Sequence, residues 1–207
     1  VFSFYTMLSR VLGYFRDILI AIFLGTSIYA DAFFVAFRLP NTFRRLFAEG
    51  TFNAAFIPSY TAEKIKSKTQ GKKFADEVLT LLTLGLLAIV LIVEIFTPYI
   101  VYLIAPGFID DDIKFNLAVD FTRITFPFLA FVSLASFIAG ILNSENKFAA
   151  AAAAPIFLNL ILILSLVISY YFKLDFVLNL SYGVSLSGFI QLVFLIFFAS
   201  KYYQPSL

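Results

Sequence analysis

The stretch DAFFVAFRLPNTFRRLFAEGTFNAAFIP, residues 31–58, decides how the rest of the chain is read. It is apolar enough to enter a bilayer, yet it holds Asp31, Arg38, Arg44, Arg45 and Glu49. In a water-soluble domain such charges would be ordinary surface. Here 61% of the 207 residues are hydrophobic and only 14% are charged, against roughly 45–50% and 25% in soluble domains. Too few polar groups remain to cover a water-facing fold of this length, so the chain reads as a membrane protein.

Several chemistries drop out early. The chain has no Cys, no His and no Trp, which removes disulfides, Cys/His metal sites, imidazole bases and thiol nucleophiles. No cofactor or metal is expected; the DDD run at 110–112 lacks the spaced ligands of a calcium loop. A net charge of +2, with Lys and Arg scattered through spans and short loops, offers no basic stripe for nucleic acid. The opening VFSFYTMLSRVLGYFRD has no basic leader region or small-residue cleavage site and carries Arg10, Arg16 and Asp17, so it is not read as a signal peptide.

A membrane-spanning helix needs about 20 mostly apolar residues. Six candidates emerge, at 1–24, 29–57, 78–105, 117–142, 149–172 and 176–200, and the strict alternation of a β-barrel strand is absent. The expected fold is an all-α polytopic membrane protein in which 1–207 forms a single six-helix lobe. Orientation follows the basic residues of the short loops. Lys64, Lys66, Lys68, Lys72, Lys73, Lys147 and Lys201 lie on one side, and only Lys114 and Lys173 on the other, beside Asp110, Asp111, Asp112 and Asp175. Seven against two places both termini in the cytoplasm.

The first two spans differ from the other four. They contain Arg10, Arg16, Asp17, Asp31, Arg38, Arg44, Arg45 and Glu49, and each would cost about 2.5–3.5 kcal/mol at mid-membrane. Such groups must face one another or water. Ser9, Gly13 and Arg16 stand at i, i+4 and i+7 on one helical face, and Asp31, Arg38 and Arg45 repeat at seven. Arg44 points about 100° away from Arg45 unless Pro40 or Gly50 bends the helix. Five arginines meet three carboxylates in the two spans, and surplus guanidinium groups suit a phosphate or carboxylate ligand. Arg45, Arg38 and Glu49 also fit a plainer role as interfacial residues that snorkel or pair. Asp31 fits either a first-turn charge favoured by the helix dipole or a gate. Elsewhere Pro98, Pro127 and Pro155 threaten kinks, Asp120 and Arg123 are spaced to pair, and the Ala run at 149–154 is a face for close helix contact.

SRVLGYFRDILIA at 9–21, the opening stretch at 31–58, APGF, ITFPF and SLASFIAGILNSENKFAAAAAAPIFLN at 133–159 follow one another in an order and spacing that resemble the N-terminal half of the MurJ (MviN) lipid II flippase family. That family belongs to the multidrug, oligosaccharidyl-lipid and polysaccharide exporter superfamily. The resemblance implies two six-helix lobes plus two further helices, of which this chain would supply the N-lobe. It implies a bacterial cytoplasmic (inner) membrane location, membrane lipids as surroundings, and lipid II, the undecaprenyl-pyrophosphate-linked disaccharide pentapeptide, as the substrate moved outward for cell wall synthesis by alternating access. The family's cavity arginines fall on Arg10, Arg16 and Arg44, with Ser9 beside them; its acidic positions fall on Asp31 and Glu49, and Arg38 carries over only as a charge. The cycle would be reset by membrane potential or a counter-ion. The chain reads as a piece of a longer protein whose C-terminal lobe would be its partner. No bond is broken, so no enzyme is expected.

Two other readings stay open: an exporter of another polyprenyl-linked saccharide or a drug, and a non-transporting scaffold for wall assembly in which the arginines only pair with carboxylates. Because the stretch has no native thiol, orientation is directly measurable. In intact cells a membrane-impermeant maleimide is expected to label Asp111→Cys and to spare Lys68→Cys and Lys147→Cys; the reverse pattern would invert the topology.

Overall fold

A computed structural model describes residues 2–48 and 51–206, with the side chains of all of these except 2, 45–48 and 51. The described residues form helices and short turns only. The helices are α1 (Phe2–Leu24), α2 (Ile28–Ala48), α3 (Thr51–Lys66), α4 (Lys68–Ile104), α5 (Asp112–Thr125), α6 (Phe128–Ser144), α7 (Phe148–Phe172) and α8 (Phe176–Ala199), with a 3-10 turn at Pro106–Phe108. Four stretches are long and apolar enough to cross a membrane: α4, α5 with α6, α7 and α8. Length and composition alone therefore carry four of the six expected spans. α1 and α2 are helices of 23 and 21 residues whose charges set them apart.

The boundaries depart from the sequence reading in three places, one being the expected span at 117–142, which runs as α5 and α6. The expected span at 29–57 runs as α2 to Ala48 and α3 from Thr51. The span expected from 78 begins ten residues earlier, because Ser67 caps α4: its hydroxyl accepts the Gln70 N–H at 3.0 Å. Asp111 caps α5 and Asp175 caps α8 in the same way, through the amides of Lys114 and Leu178. α7 ends on Lys173 in the left-handed conformation, φ 54°.

Proline stands inside four helices, α2, α3, α4 and α7, and at two of them neighbouring hydroxyls occupy the carbonyls that proline cannot serve. Pro98 removes the N–H that would bond the Glu94 carbonyl. The helix leaves regular geometry at Phe96, and Thr97 Oγ1 donates to the Glu94 oxygen at 3.1 Å and to the Val93 oxygen at 2.6 Å. Pro40 likewise frees the Ala36 carbonyl inside α2, which accepts Thr125 Oγ1 from α5 at 3.2 Å. Without water, such freed groups need a partner of this kind. Pro127 separates α5 from α6, whereas Pro155 sits within a continuous α7.

α7 packs on α8 and α1, α6 on α8, α2 on α5, and α3 on α4. One end of the bundle is closed by Ile20, Leu24, Phe33, Phe128, Leu162 and Leu166, all buried in a single cluster. A second cluster, around Phe56, Tyr60, Phe137, Ile141 and Leu195, holds the N-terminal half of α7 to α3, α6 and α8. The segment after α8 returns to α4, where Tyr203 and Ser206 donate hydroxyl protons to the two Asp76 oxygens at 2.6 Å each. α4 otherwise turns a long apolar face outward, with Leu84, Leu91, Ile95 and Leu103 all exposed, as suits a helix against lipid.

The α3–α4 hairpin closes over Gly71. A Cβ there would lie 2.8 Å from Cα and Cβ of Lys64, with no flexible group to yield, whereas Gly85 on the same helix has open space around it. Gly71→Ala is expected to destabilise the purified protein in detergent by about 1–3 kcal/mol, and Gly85→Ala to leave the unfolding midpoint in place. Equal behaviour of the two variants would contradict the close approach.

Candidate functional site

Between the two clusters a cavity of about 560 Å³ opens in the half of the bundle that holds the start of α1. Its size is ordinary for a ligand site. α1 contributes Ser9, Gly13 and Arg16, the face expected from their i, i+4, i+7 spacing, with Arg10 beside them, and α2 contributes Arg44. The four residues named from the sequence as substrate contacts, Ser9, Arg10, Arg16 and Arg44, thus line one space. No carboxylate stands among its described lining residues.

Arg16 is held through three of its nitrogens. Its Nη1 donates to Asn159 Oδ1 at 2.8 Å, and Nε and Nη2 donate to Asp17 Oδ1 at 2.9 and 2.7 Å. Asn159 in turn donates through Nδ2 to the Ser9 carbonyl at 2.8 Å, so one buried amide ties α7 to two turns of α1. Gly13 packs beside it: a Cβ there would meet the Asn159 amide at 3.6 Å, an ordinary contact. Arg44 Nε donates to Asn41 one turn back at 3.0 Å. Arg10 is exposed and forms no hydrogen bond or ion pair among the described residues.

The polar side of the cavity goes beyond what the sequence reading named. Asn53, Ser136, Asn143, Asn159 and Gln191 all face it. Asn143 and Asn159 end the two short patterns GILN and APIFLN, where a signal was present; Asn53 and Gln191 had none. Asn53 donates weakly to Ser136, at 3.4 Å, while its Oδ1 is buried with no hydrogen-bond partner among the described residues. A buried acceptor left open in this way favours a ligand that brings a donor. Guanidinium forks for an anion, with amides for hydroxyl or peptide groups, suit a ligand that is charged at one point and polar around it.

The other expected residues lie elsewhere. Asp31 is at the opposite end of α2 from Arg44, and its Oδ2 accepts Lys114 Nζ at 2.6 Å. Lys114 also stands 4.4 Å from the centre of the Phe108 ring. Such a half-exposed pair is worth about 0.2–1 kcal/mol. Arg38 is exposed, outside the cavity, and in no ion pair among the described residues. Glu49 and Arg45 lie outside what the structure describes of side chains. The expected Asp120–Arg123 pair does not form: no salt bridge joins the two among the described residues.

Asn159→Ala leaves the Arg16 guanidinium without its amide and unties α1 from α7. It is expected to destabilise the protein by about 1.5–3 kcal/mol, read as an earlier midpoint on chemical unfolding in detergent. An unchanged midpoint would mean that the bridge carries no stability.

The chain is similar to known proteins over nearly its whole length. The profile of the family "Lipid II flippase MurJ" matches residues 20–206. A probable lipid II flippase MurJ of Rhizobium meliloti (strain 1021) is 48% identical over 90% of this chain and 36% of its own length. One from Rickettsia prowazekii (strain Madrid E) is 39% identical over 97% of the chain and 39% of its own length. A solved structure titled "Lipid II flippase MurJ, inward closed conformation" covers all of this chain with 43% of its own, at 29% identity and a TM-score of 0.82. The chain therefore spans somewhat over a third of the length of these curated relatives.

Proposed function

The chain belongs to the MurJ lipid II flippase family, and from that premise we propose that it forms the arginine-bearing lobe of a transporter that carries lipid II across the bacterial cytoplasmic membrane. The observation that carries this reading is the single cavity lined by Arg10, Arg16 and Arg44 with no carboxylate among its described lining residues.

In this proposal the lobe crosses the membrane six times, with α2 and α3 together making the second crossing and α5 and α6 the fourth. Both termini are cytoplasmic, and the cavity opens on that side. Arg10 and Arg44 meet the pyrophosphate first. Arg16 is held in place by Asn159 and Asp17 and completes the anion site, while Asn53, Asn143 and Gln191 meet sugar and peptide groups. The polyprenyl tail stays in lipid. The apolar cluster of Phe33, Phe128 and Leu162 closes the outer half, so that release outward needs this lobe to rock against a second one. Asp31 with Lys114 would latch the outer end; Glu49 and Arg38 are assigned to gating or pairing from the family resemblance alone. Nothing in the cycle makes or breaks a covalent bond.

Arg16→Ala and Arg44→Ala in the full-length protein are each expected to abolish growth rescue in cells depleted of their own lipid II flippase. Each is also expected to weaken binding of the pyrophosphate lipid about ten- to hundredfold. Full rescue by both would refute the cavity assignment. A scaffold role makes a different demand: the exchanged pair Arg16→Asp with Asp17→Arg would keep function, whereas an anion site loses it.

A further inference from the structure

α7 presents two unlike faces over its run of alanines. Ala151, Ala152, Ala154 and Leu158 face the arginine-lined cavity, while Ala149, Ala150 and Ala153, whose mean direction lies roughly 150° around the helix, face a separate groove of about 440 Å³. The floor of this groove is methyl groups. Its walls are aromatic, from Tyr5 of α1 and from Phe194, Phe197 and Phe198 of α8, and Phe197 and Phe198 are substantially exposed. At the mouth stand Lys147, just before α7, and Lys201, just after α8. Neither lysine forms an ion pair among the described residues, and no carboxylate lines the groove. Lys147 leans over Tyr202, 6.0 Å from the ring centre. It follows Asn146, which adopts the left-handed conformation at φ 57° in the α6–α7 turn.

An aromatic slot continuous with the lipid-facing surface, with two unpaired ammonium groups at the end of two spanning helices, matches one ligand chemistry. Acyl chains fill the slot and a phosphodiester sits between the lysines, at the depth where Tyr and Lys mark the headgroup level. We propose that this groove is a binding site for an anionic phospholipid of the cytoplasmic leaflet, separate from the transport cavity. The charge selects the headgroup: a zwitterionic lipid brings its own cation to a site that already holds two. The site rests on the membrane orientation proposed above but not on what the transporter carries.

The test uses the full-length protein, stripped of lipid in detergent and titrated with palmitoyl-oleoyl phosphatidylglycerol or the matching phosphatidylcholine, with bound lipid counted by native mass spectrometry. The wild type is expected to prefer phosphatidylglycerol. Lys147→Gln with Lys201→Gln is expected to weaken it roughly thirtyfold, at about a fivefold loss for each surface lysine, and to leave phosphatidylcholine binding unchanged. Ala153→Phe fills the slot without touching a charge and is expected to weaken both lipids. Arg16→Ala, which alters the transport cavity, is expected to leave phosphatidylglycerol binding intact, so the two proposals fail separately. Unchanged phosphatidylglycerol binding in both groove variants would overturn the assignment. So would an equal loss of both lipids in the lysine variant, or displacement of phosphatidylglycerol from the wild type by an equimolar amount of undecaprenyl phosphate.

Discussion

A guanidinium group cannot stand in hydrocarbon without a partner or water, and that constraint organises the half of this protein where α1 begins. Arg16 meets it through Asp17 on its own helix and Asn159 on α7. The same Asn159 holds the Ser9 carbonyl, so the group that satisfies a charge also fixes the distance between two helices. Around this seam the cavity stays polar and open, and beyond it the packed cluster of Phe33, Phe128, Leu162 and Leu166 excludes water. Polar and apolar halves therefore succeed one another along the bundle.

α7 separates two environments with a wall one helix thick. Six consecutive alanines let α1, α6 and α8 approach closely, and they leave a cavity rich in arginine and amides on one face and an aromatic groove on the other. Under the functions proposed here, the first would take a pyrophosphate from the cytoplasmic leaflet while the second holds a resident phospholipid. The two ligands are both anionic lipids, and what sorts them is the donor set: forked guanidinium and amide groups in the cavity, point-charged ammonium groups on the groove.

Much of this was legible in the chain. Apolar length announced spanning helices, and the i, i+4, i+7 spacing of Ser9, Gly13 and Arg16 put them on one face. Arg44 lines the cavity, while the side chain of Arg45, expected about 100° away, lies outside the described residues. What was not legible depended on contacts between distant residues. Asn53 and Gln191 join the cavity only because α3 and α8 are folded against α6 and α7, and the Asp31–Lys114 pair joins residues 83 positions apart. Asp120 and Arg123 had the right spacing to pair, yet no salt bridge joins them; spacing along one helix does not by itself make a pair. Helix starts were missed where a capping serine, Ser67, extended α4 past its apolar portion.

The most direct measurement is protection of an introduced thiol by the proposed substrate. Ala151 and Ala153 are near neighbours on α7, both half-buried, the first on the cavity and the second on the groove. In the full-length protein freed of other thiols, lipid II is expected to slow alkylation at Ala151→Cys several-fold and to leave the rate at Ala153→Cys unchanged. Lipid II that slows Ala153→Cys, or that protects neither position, would contradict the proposal that the arginine-lined cavity is where the substrate binds.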